Sequence, residues 1–308
     1  MKSSKIGGQA VMEGVMMRNG SRYAVAVRKE DGEIVVKTED YDGVMKNKKL
    51  AGLPFVRGVF NFVDSLVLGM KTLTYSASFF MDEEEKKEAV SSEKKEKRDS
   101  LLMGVTMAFS IILAVGLFMV LPYVISSLIL RFTDSATLIG LLEGAVRLGL
   151  FIGYILLISR MKDIQRVFQY HGAEHKCINC IEHGMELNVE NVLKSSKQHK
   201  RCGTSFLLLV MLISIVLFLF IRVESPLWRV VIRVLLVPVI AGISYEFIRL
   251  AGRSENPLVE LVSKPGLWMQ NLTTREPDAS MAEVAIASVE AVFDWRAYLE
   301  ENFREGKR

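Results

Sequence analysis

The sequence predicts a polytopic α-helical membrane protein: about four transmembrane helices, one further amphipathic helix that is interfacial or re-entrant, and a small β-containing amino-terminal domain. Three observations carry that prediction. Half of the 308 residues are apolar, and mean hydropathy is +0.25. Charged residues still make up 24%, so the two kinds must be segregated along the chain, as they are when bilayer-buried helices alternate with aqueous loops. Lys and Arg are also gathered on one set of loops, as expected for segments that stay on the cytoplasmic side. Disordered and collagen-like architectures are excluded by the same composition.

Residues 1–52 read as the amino-terminal cytoplasmic domain. YAVAVR (23–28) and EIVVKTE (33–39) are β-rich runs on either side of an Asp31-Gly32 turn signal, which predicts a hairpin. The opening KIGGQAVMEGVMMRNG, with Gly7-Gly8 and Gly14, suits a glycine-containing strand and turn, or a backbone that approaches another segment closely. Met1 to Gly20 lacks a continuous apolar core, so no cleavable signal is expected.

In 53–80, Arg57, Asn61, Asp64 and Lys71 recur at steps of four, three and seven, which puts them on one helical stripe. This predicts an amphipathic helix, interfacial or packed polar side inward, and not a fifth span. The mixed-charge run within 81–100 reads as a solvated helix or linker.

The spans follow at 101–121, 138–158, 205–221 and 230–250, each near the roughly 20 residues that a bilayer requires. They form two pairs, 101–158 and 205–250. Glu143 and Arg147 stand four apart in the second span, either as a mutually neutralising pair or as a polar path. The linker before the first span carries six Lys and Arg between Lys86 and Arg98, the short loop after it only Arg131, and the central segment 159–204 eight. Both termini and the central segment are therefore expected in the cytoplasm. In 251–308, Pro257, Pro265 and Pro277 are expected to break any long helix, and Ser280 with Glu283 is spaced as a capping box for a terminal helix over 280–303.

All three Cys and all four His fall between 171 and 202. Random scatter would place seven residues in that window with a probability on the order of one in ten million, so a common cause is required. His171, Glu174 and His175 form H-x-x-E-H. On a helix both imidazoles can face one metal, with Glu174 close enough to activate a water. His199 and Cys202 close the segment, and Cys177 and Cys180 form a CxxC. In a reducing compartment these thiols point to ligands or buried side chains, not to a disulfide. The expected metal is Zn²⁺ or another divalent transition metal. A closed four-ligand set of His171, His175, His199 and Cys202 would be structural, whereas three ligands with Glu174 free would leave room for water and substrate.

Five motifs carry a resemblance: GGQAVMEGVMMR (7–18), LPFVRGVFNFVDSLVLG (53–69), YHGAEHK (170–176), HKRCGTSFL (199–207) and PGLWMQNLTTREPD (265–278). Together they resemble the bacterial YqhQ-like family of membrane proteins, described as predicted metal-dependent enzymes. The resemblance implicates His171, Glu174, His175, Glu182, His199, Arg201 and Cys202 along with the Gly-Gly-Gln and Glu13-Gly14 positions, and leaves Cys177 and Cys180 outside the motifs.

The expectation is then a multi-pass protein of the bacterial cytoplasmic membrane with a cytoplasm-facing metal site. It would act as a hydrolase on a membrane-associated substrate, with Glu174 as general base and Arg201 stabilising negative charge. The alternative is a non-enzymatic scaffold in which the metal staples the central segment to hold a protein partner or form a homo-oligomer. A transporter built on Glu143 and Arg147 ranks behind both, because four spans make a narrow bundle. The expected partners are the lipid bilayer and that substrate or protein partner, with no nucleic acid.

Overall fold

The computed structural model describes residues 2–45, 49, 52–81, 93–128, 135–221, 223, 225–254 and 256–303. Most of the charged linker (82–92) and the loop holding Arg131 lie outside those residues. The chain divides into two compact units. One comprises 1–80, 158–209 and 241–308, and the other 81–157 and 210–240.

The first unit is built on an antiparallel meander of β1 (Gly7–Val11), β2 (Gly14–Asn19), β3 (Arg22–Arg28) and β4 (Ile34–Asp40). The expected hairpin is β3–β4, with Arg28 opposite Ile34 and Gly32 at φ 89° in the connection. Side chains alternate between the sheet faces, so β2 and β3 each serve two cores. Val15, Met17 and Ala26 pack with α5 (Lys162–Glu182), α6 (Val189–Lys194) and α10 (Ala279–Glu290). Met16, Tyr23, Val25 and Val27 pack on Leu68 of α1 (Val56–Ala77). The sheet is thus not a separate amino-terminal domain; it shares its core with the central and carboxy-terminal segments.

The polar stripe of helix α1 finds partners along its length, with Asp64 buried, Arg57 and Asn61 half-buried and Lys71 exposed. Asp64 accepts hydrogen bonds from the Tyr41 hydroxyl (3.0 Å) and the Val44 amide (2.7 Å), Lys71 pairs with Glu39 (2.6 Å), and Asn61 donates to Tyr245 (3.1 Å). Arg57 pairs with Glu246 through Nε at 2.6 Å. Leu66, Val67, Met70 and Leu73 are left exposed.

Four described helical segments are long and apolar enough to cross a membrane: Gly104–Ser127, Thr137–Ile158, Gly203–Phe220 and Leu227–Ala251. They correspond to the four expected spans. The first runs through α2 (Glu93–Val115), a π-helical turn (Gly116–Val120) and α3 (Leu121–Ser127). The others are α4 (Ala136–Ile158), α7 (Gly203–Phe220) and α8 (Pro226–Ala251).

Within the second unit, Glu143 is not merely paired with Arg147. It accepts hydrogen bonds from Arg147 (2.8 Å) and, through both oxygens, from Arg233, with Arg233 Nη2 at 2.9 Å from Oε2. Arg147 also donates to Ser214 Oγ (3.2 Å) and to the Phe118 carbonyl (2.9 Å), which lies in the π-helical turn, where the usual helical ladder is interrupted. Both guanidiniums stack over the Phe218 ring.

The carboxy-terminal region departs from expectation in two places. Pro265 sits inside α9 (Pro257–Thr273) without ending it, while Pro257 occupies its first turn, where no amide hydrogen bond is lost. The expected terminal helix is two, α10 and α11 (Trp295–Phe303). The cap of α10 is Asp278, whose carboxylate accepts from the Met281 amide (2.9 Å), and Ser280 donates to Asp278. Glu283, the other half of the expected capping box, instead pairs with Arg28 at 2.7 Å.

Candidate metal centre

Helix α5 carries His171, Glu174 and His175 on consecutive turns, so H-x-x-E-H is helical as its spacing requires. Gly172, a poor helix former, is there for another reason. A Cβ on it would lie 2.0 Å from the Arg275 carbonyl oxygen, because residues 273–277 run tightly along the helix. Arg275 N donates to Phe168 O (2.9 Å), and His171 Nδ1 donates to Thr273 O (3.0 Å).

The segment after α6 is lashed to the same helix. Asn179 donates to the carbonyls of Ser196 (2.7 Å) and Gln198 (2.9 Å), and the buried Lys176 ammonium to those of Leu193 (2.9 Å) and Ser195 (2.7 Å). That places the Lys197 carbonyl 2.6 Å from His175 Nδ1. Buried Gln270 of α9 grips His199 on both sides, accepting from its amide (2.8 Å) and donating to its carbonyl (2.8 Å). Cys202 is thereby fixed immediately before α7.

The outcome is a set of donors in which His175 and Cys202 are buried and His171 half-buried. One nitrogen each of His171 and His175 and the Cys202 sulfur all lie within 4.8 Å of one another, and His171 Nε2 is 3.4 Å from Cys202 Sγ. Each Nδ1 faces a carbonyl, which can only accept, so the Nδ1–H is committed and the Nε2 lone pair is turned inward. This is the arrangement by which outer partners fix metal-binding imidazoles. Burial opposes charge on all three groups. Against it, the two imidazoles hold the Cys202 thiol well below its usual value, while Cys202 and Glu174 raise His171 and push His175 up to about 9. Thiolate and imidazolium thus stabilise one another, and a bound metal would displace the imidazolium protons to free each Nε2 lone pair. Two imidazoles and a thiolate suit a borderline-soft divalent ion such as Zn²⁺, with a fourth position left over.

Glu174 lies beside the set, with Oε2 3.5 Å from His175 Nε2. Its environment explains Gly8, because a Cβ there would lie 2.8 Å from Glu174 Cγ and 2.6 Å from Met16 O. Both readings of the amino-terminal glycines thus apply at once: a strand, and a close backbone approach. His199 is a neighbour, its ring centroid 5.7 Å from that of His175, but its Nε2 faces Glu182 Oε2 at 3.5 Å. Three of the four expected ligands are therefore brought together and His199 is turned to Glu182. Arg201 is also turned there: one terminal nitrogen donates to Glu182 Oε1 (2.6 Å) and the other to Ser3. Cys177 and Cys180 are buried on α5, outside the donor set. Burial raises both thiols, Cys180 to about 11.

Glu182, fully buried, also accepts from the Ser4 amide (2.7 Å) and hydroxyl (2.8 Å). Burial alone would raise its pKa, but His199, Arg201 and Ser4 together lower it to about 2. A depressed carboxylate adds stability above its unfolded pKa, lost as pH falls from about 4.5 toward 2. A difference of this size is worth about 3 kcal/mol. Glu182→Gln is accordingly expected to unfold more readily at pH 7 by about that amount. The gap should close near pH 2, as read by thermal unfolding of both proteins across pH.

His171, Glu174, His175, His199, Arg201 and Cys202 all line one cavity of about 450 Å³. Sequence reasoning did not single out Gln270, Thr273 or Thr204, whose hydroxyl lies 3.1 Å from Cys202 Sγ. Thr273 and Gln270 lie in the PGLWMQNLTTREPD motif and Thr204 in HKRCGTSFL, so their signal was membership of a motif, not an individual chemistry.

Residues 53–295 match the family described as "Protein of unknown function (DUF1385)". The chain is 35% identical over 303 residues to "Uncharacterized protein YqhQ" of Bacillus subtilis (strain 168), covering 96% of this chain and 94% of that protein. No solved structure matches.

Proposed function

The chain belongs to the DUF1385 family, with a YqhQ relative along nearly its whole length, and from that premise we propose that it is a multi-pass membrane protein with a cytoplasm-facing metal site that hydrolyses a membrane-associated substrate. The observation that carries the proposal is the convergence of His171, His175 and Cys202 within 4.8 Å, with Glu174 left beside them as a fourth, non-ligating group. The four apolar helices and the Lys/Arg-rich segments 82–98 and 159–204 support insertion with both termini in the cytoplasm. The exposed apolar face of α1 supports its lying at the interface.

A divalent ion held by these three residues would polarise a carbonyl or phosphoryl group and acidify a water. Glu174 takes the proton from the attacking water as its oxygen bonds to the substrate, and returns it to the leaving group as that bond breaks. The Thr273 and Lys197 carbonyls keep both imidazoles oriented, and Thr204 keeps Cys202 in place. Arg201, its terminal nitrogens engaged by Glu182 and Ser3, positions the segment leading to Cys202 and is not assigned the charge-stabilising role.

The test is Glu174→Gln in the full-length zinc-loaded protein. Zinc content is expected to be unchanged, and hydrolysis of a p-nitrophenyl ester to fall by about 10²-fold. Equal turnover in both proteins at equal zinc content would instead favour the metal-stapled scaffold.

A further inference from the structure

The cavity at the metal centre has a second kind of wall. Besides the His/Cys/Glu set it is lined by Phe62 and Leu66 of α1, Ile178 of α5, Phe206 and Leu207 of α7, and Ile248 of α8. Its volume lies within the range of small-molecule sites. Metal ligands alone do not need such a lining: a water and a small polar substrate would occupy only the part of the cavity at the donor set.

Where the apolar wall lies is informative. Cys202 and Phe206 are four residues apart, so Phe206 stands about one turn beyond the ligand, inside a helix long and apolar enough to cross a membrane. Phe206 packs against Phe62, ring centroids 5.7 Å apart, so the two rings form one continuous part of the lining. Leu66 and Leu207 line the cavity while remaining 50% and 41% exposed. The cavity lining therefore includes surface residues of α1 and α7, Leu66 and Leu207 among them with Ser65 beside, and Leu66 belongs to the exposed apolar face of α1. An apolar strip at the surface favours contact with hydrocarbon, while Ser65 and Gly7 at the same rim leave a way for water.

Resting on the reading of this site as a metal-dependent hydrolase, we propose that the substrate is a bilayer-resident amphiphile. A single apolar chain enters between α1 and α7, lies along Phe62, Leu66, Phe206 and Leu207, and presents a hydrolysable polar group to His171, His175, Cys202 and Glu174. The chain supplies binding energy remote from the reacting bond, and the length from Phe206 back to Cys202 sets which bond reaches the metal.

The test uses the full-length protein in phosphatidylcholine nanodiscs, loaded with Co²⁺ and titrated with acetohydroxamate and octanohydroxamate, which share a metal-binding head and differ in chain. Octanohydroxamate is expected to bind at least about tenfold more tightly. In Phe62→Ser/Phe206→Ser that advantage should shrink to the part due to membrane partition, with acetohydroxamate affinity unchanged. Leu66→Gln at the rim is a milder variant with the same expected direction. Equal affinities, or an advantage that persists in the variants, would overturn the chain-binding proposal and leave the metal site standing. Failure to take up Co²⁺ would overturn the metal reading. In that event diazirine-tagged octanoic acid decides on the same discs: saturable labelling at 62–66 and 206–207 upholds the chain site, and labelling spread evenly over the apolar helices overturns it.

Discussion

Gly172→Ala is expected to leave little folded protein, although the same change in an exposed helix would stabilise by up to about 1 kcal/mol. The sign reverses because the new methyl would meet the Arg275 carbonyl oxygen at 2.0 Å and the Arg275 carbonyl carbon at 3.2 Å. Both are backbone atoms of a segment that cannot swing aside. Arg275 N is bonded to Phe168 O, and Lys176 pairs with Glu276 at 2.9 Å. Relief requires lifting 273–277 off α5, which breaks these bonds and withdraws the Thr273 carbonyl from His171. A loss above about 4 kcal/mol follows, in the range reserved for such collisions. Circular dichroism melting in detergent measures it, and any surviving fraction should also bind metal poorly. A melting curve that matches the wild type would show that the close approach is not real.

Glu143→Gln is expected to destabilise the second unit by about 3–5 kcal/mol, the usual consequence of removing one partner from a buried ion pair. Glu143, Arg147 and Arg233 are each only 3–4% exposed, and the carboxylate is shared between two guanidiniums. Without it two positive charges face each other among apolar helices. Replacing all three residues with Leu should recover much or all of the loss, because desolvating the set costs more than its mutual attraction returns. Thermal unfolding of the single and triple variants separates the two expectations. A single variant as stable as the wild type would mean that water reaches the triad.

Much of this was legible in the sequence because it depends on local periodicity. The four apolar helices follow from uninterrupted runs, the β3–β4 hairpin from Asp31-Gly32, and the helical pairing of His171 with His175 from a spacing of four. Contacts distant along the chain were not legible. Nothing local in Gly8 or Gly172 announces Glu174 or Arg275, more than 100 residues away. Arg233 and Glu246 stand within the last apolar helix, and only the fold shows that their partners are Glu143 and Arg57. The Ser280 capping box lost to Asp278 because the better acceptor stood two residues earlier and Glu283 was claimed by Arg28. His199 and Cys202 looked equivalent as ligands. The difference is that buried Glu182, brought in by α5, takes one and leaves the other.

The central claim is that His171, His175 and Cys202 hold one metal ion. Its most direct measurement is elemental analysis of detergent-purified full-length protein, wild type beside His171→Ala/His175→Ala, with Co²⁺-loaded wild type, Cys202→Ser and Cys177→Ser compared by absorption spectroscopy. The prediction is about one equivalent of zinc in the wild type, as for a single mononuclear site, and loss of nearly all of it in the double variant. A thiolate-to-cobalt charge-transfer band should vanish in Cys202→Ser and persist in Cys177→Ser. Metal content unaffected by replacing both histidines, or a folded wild type that takes up neither zinc nor cobalt, would contradict it.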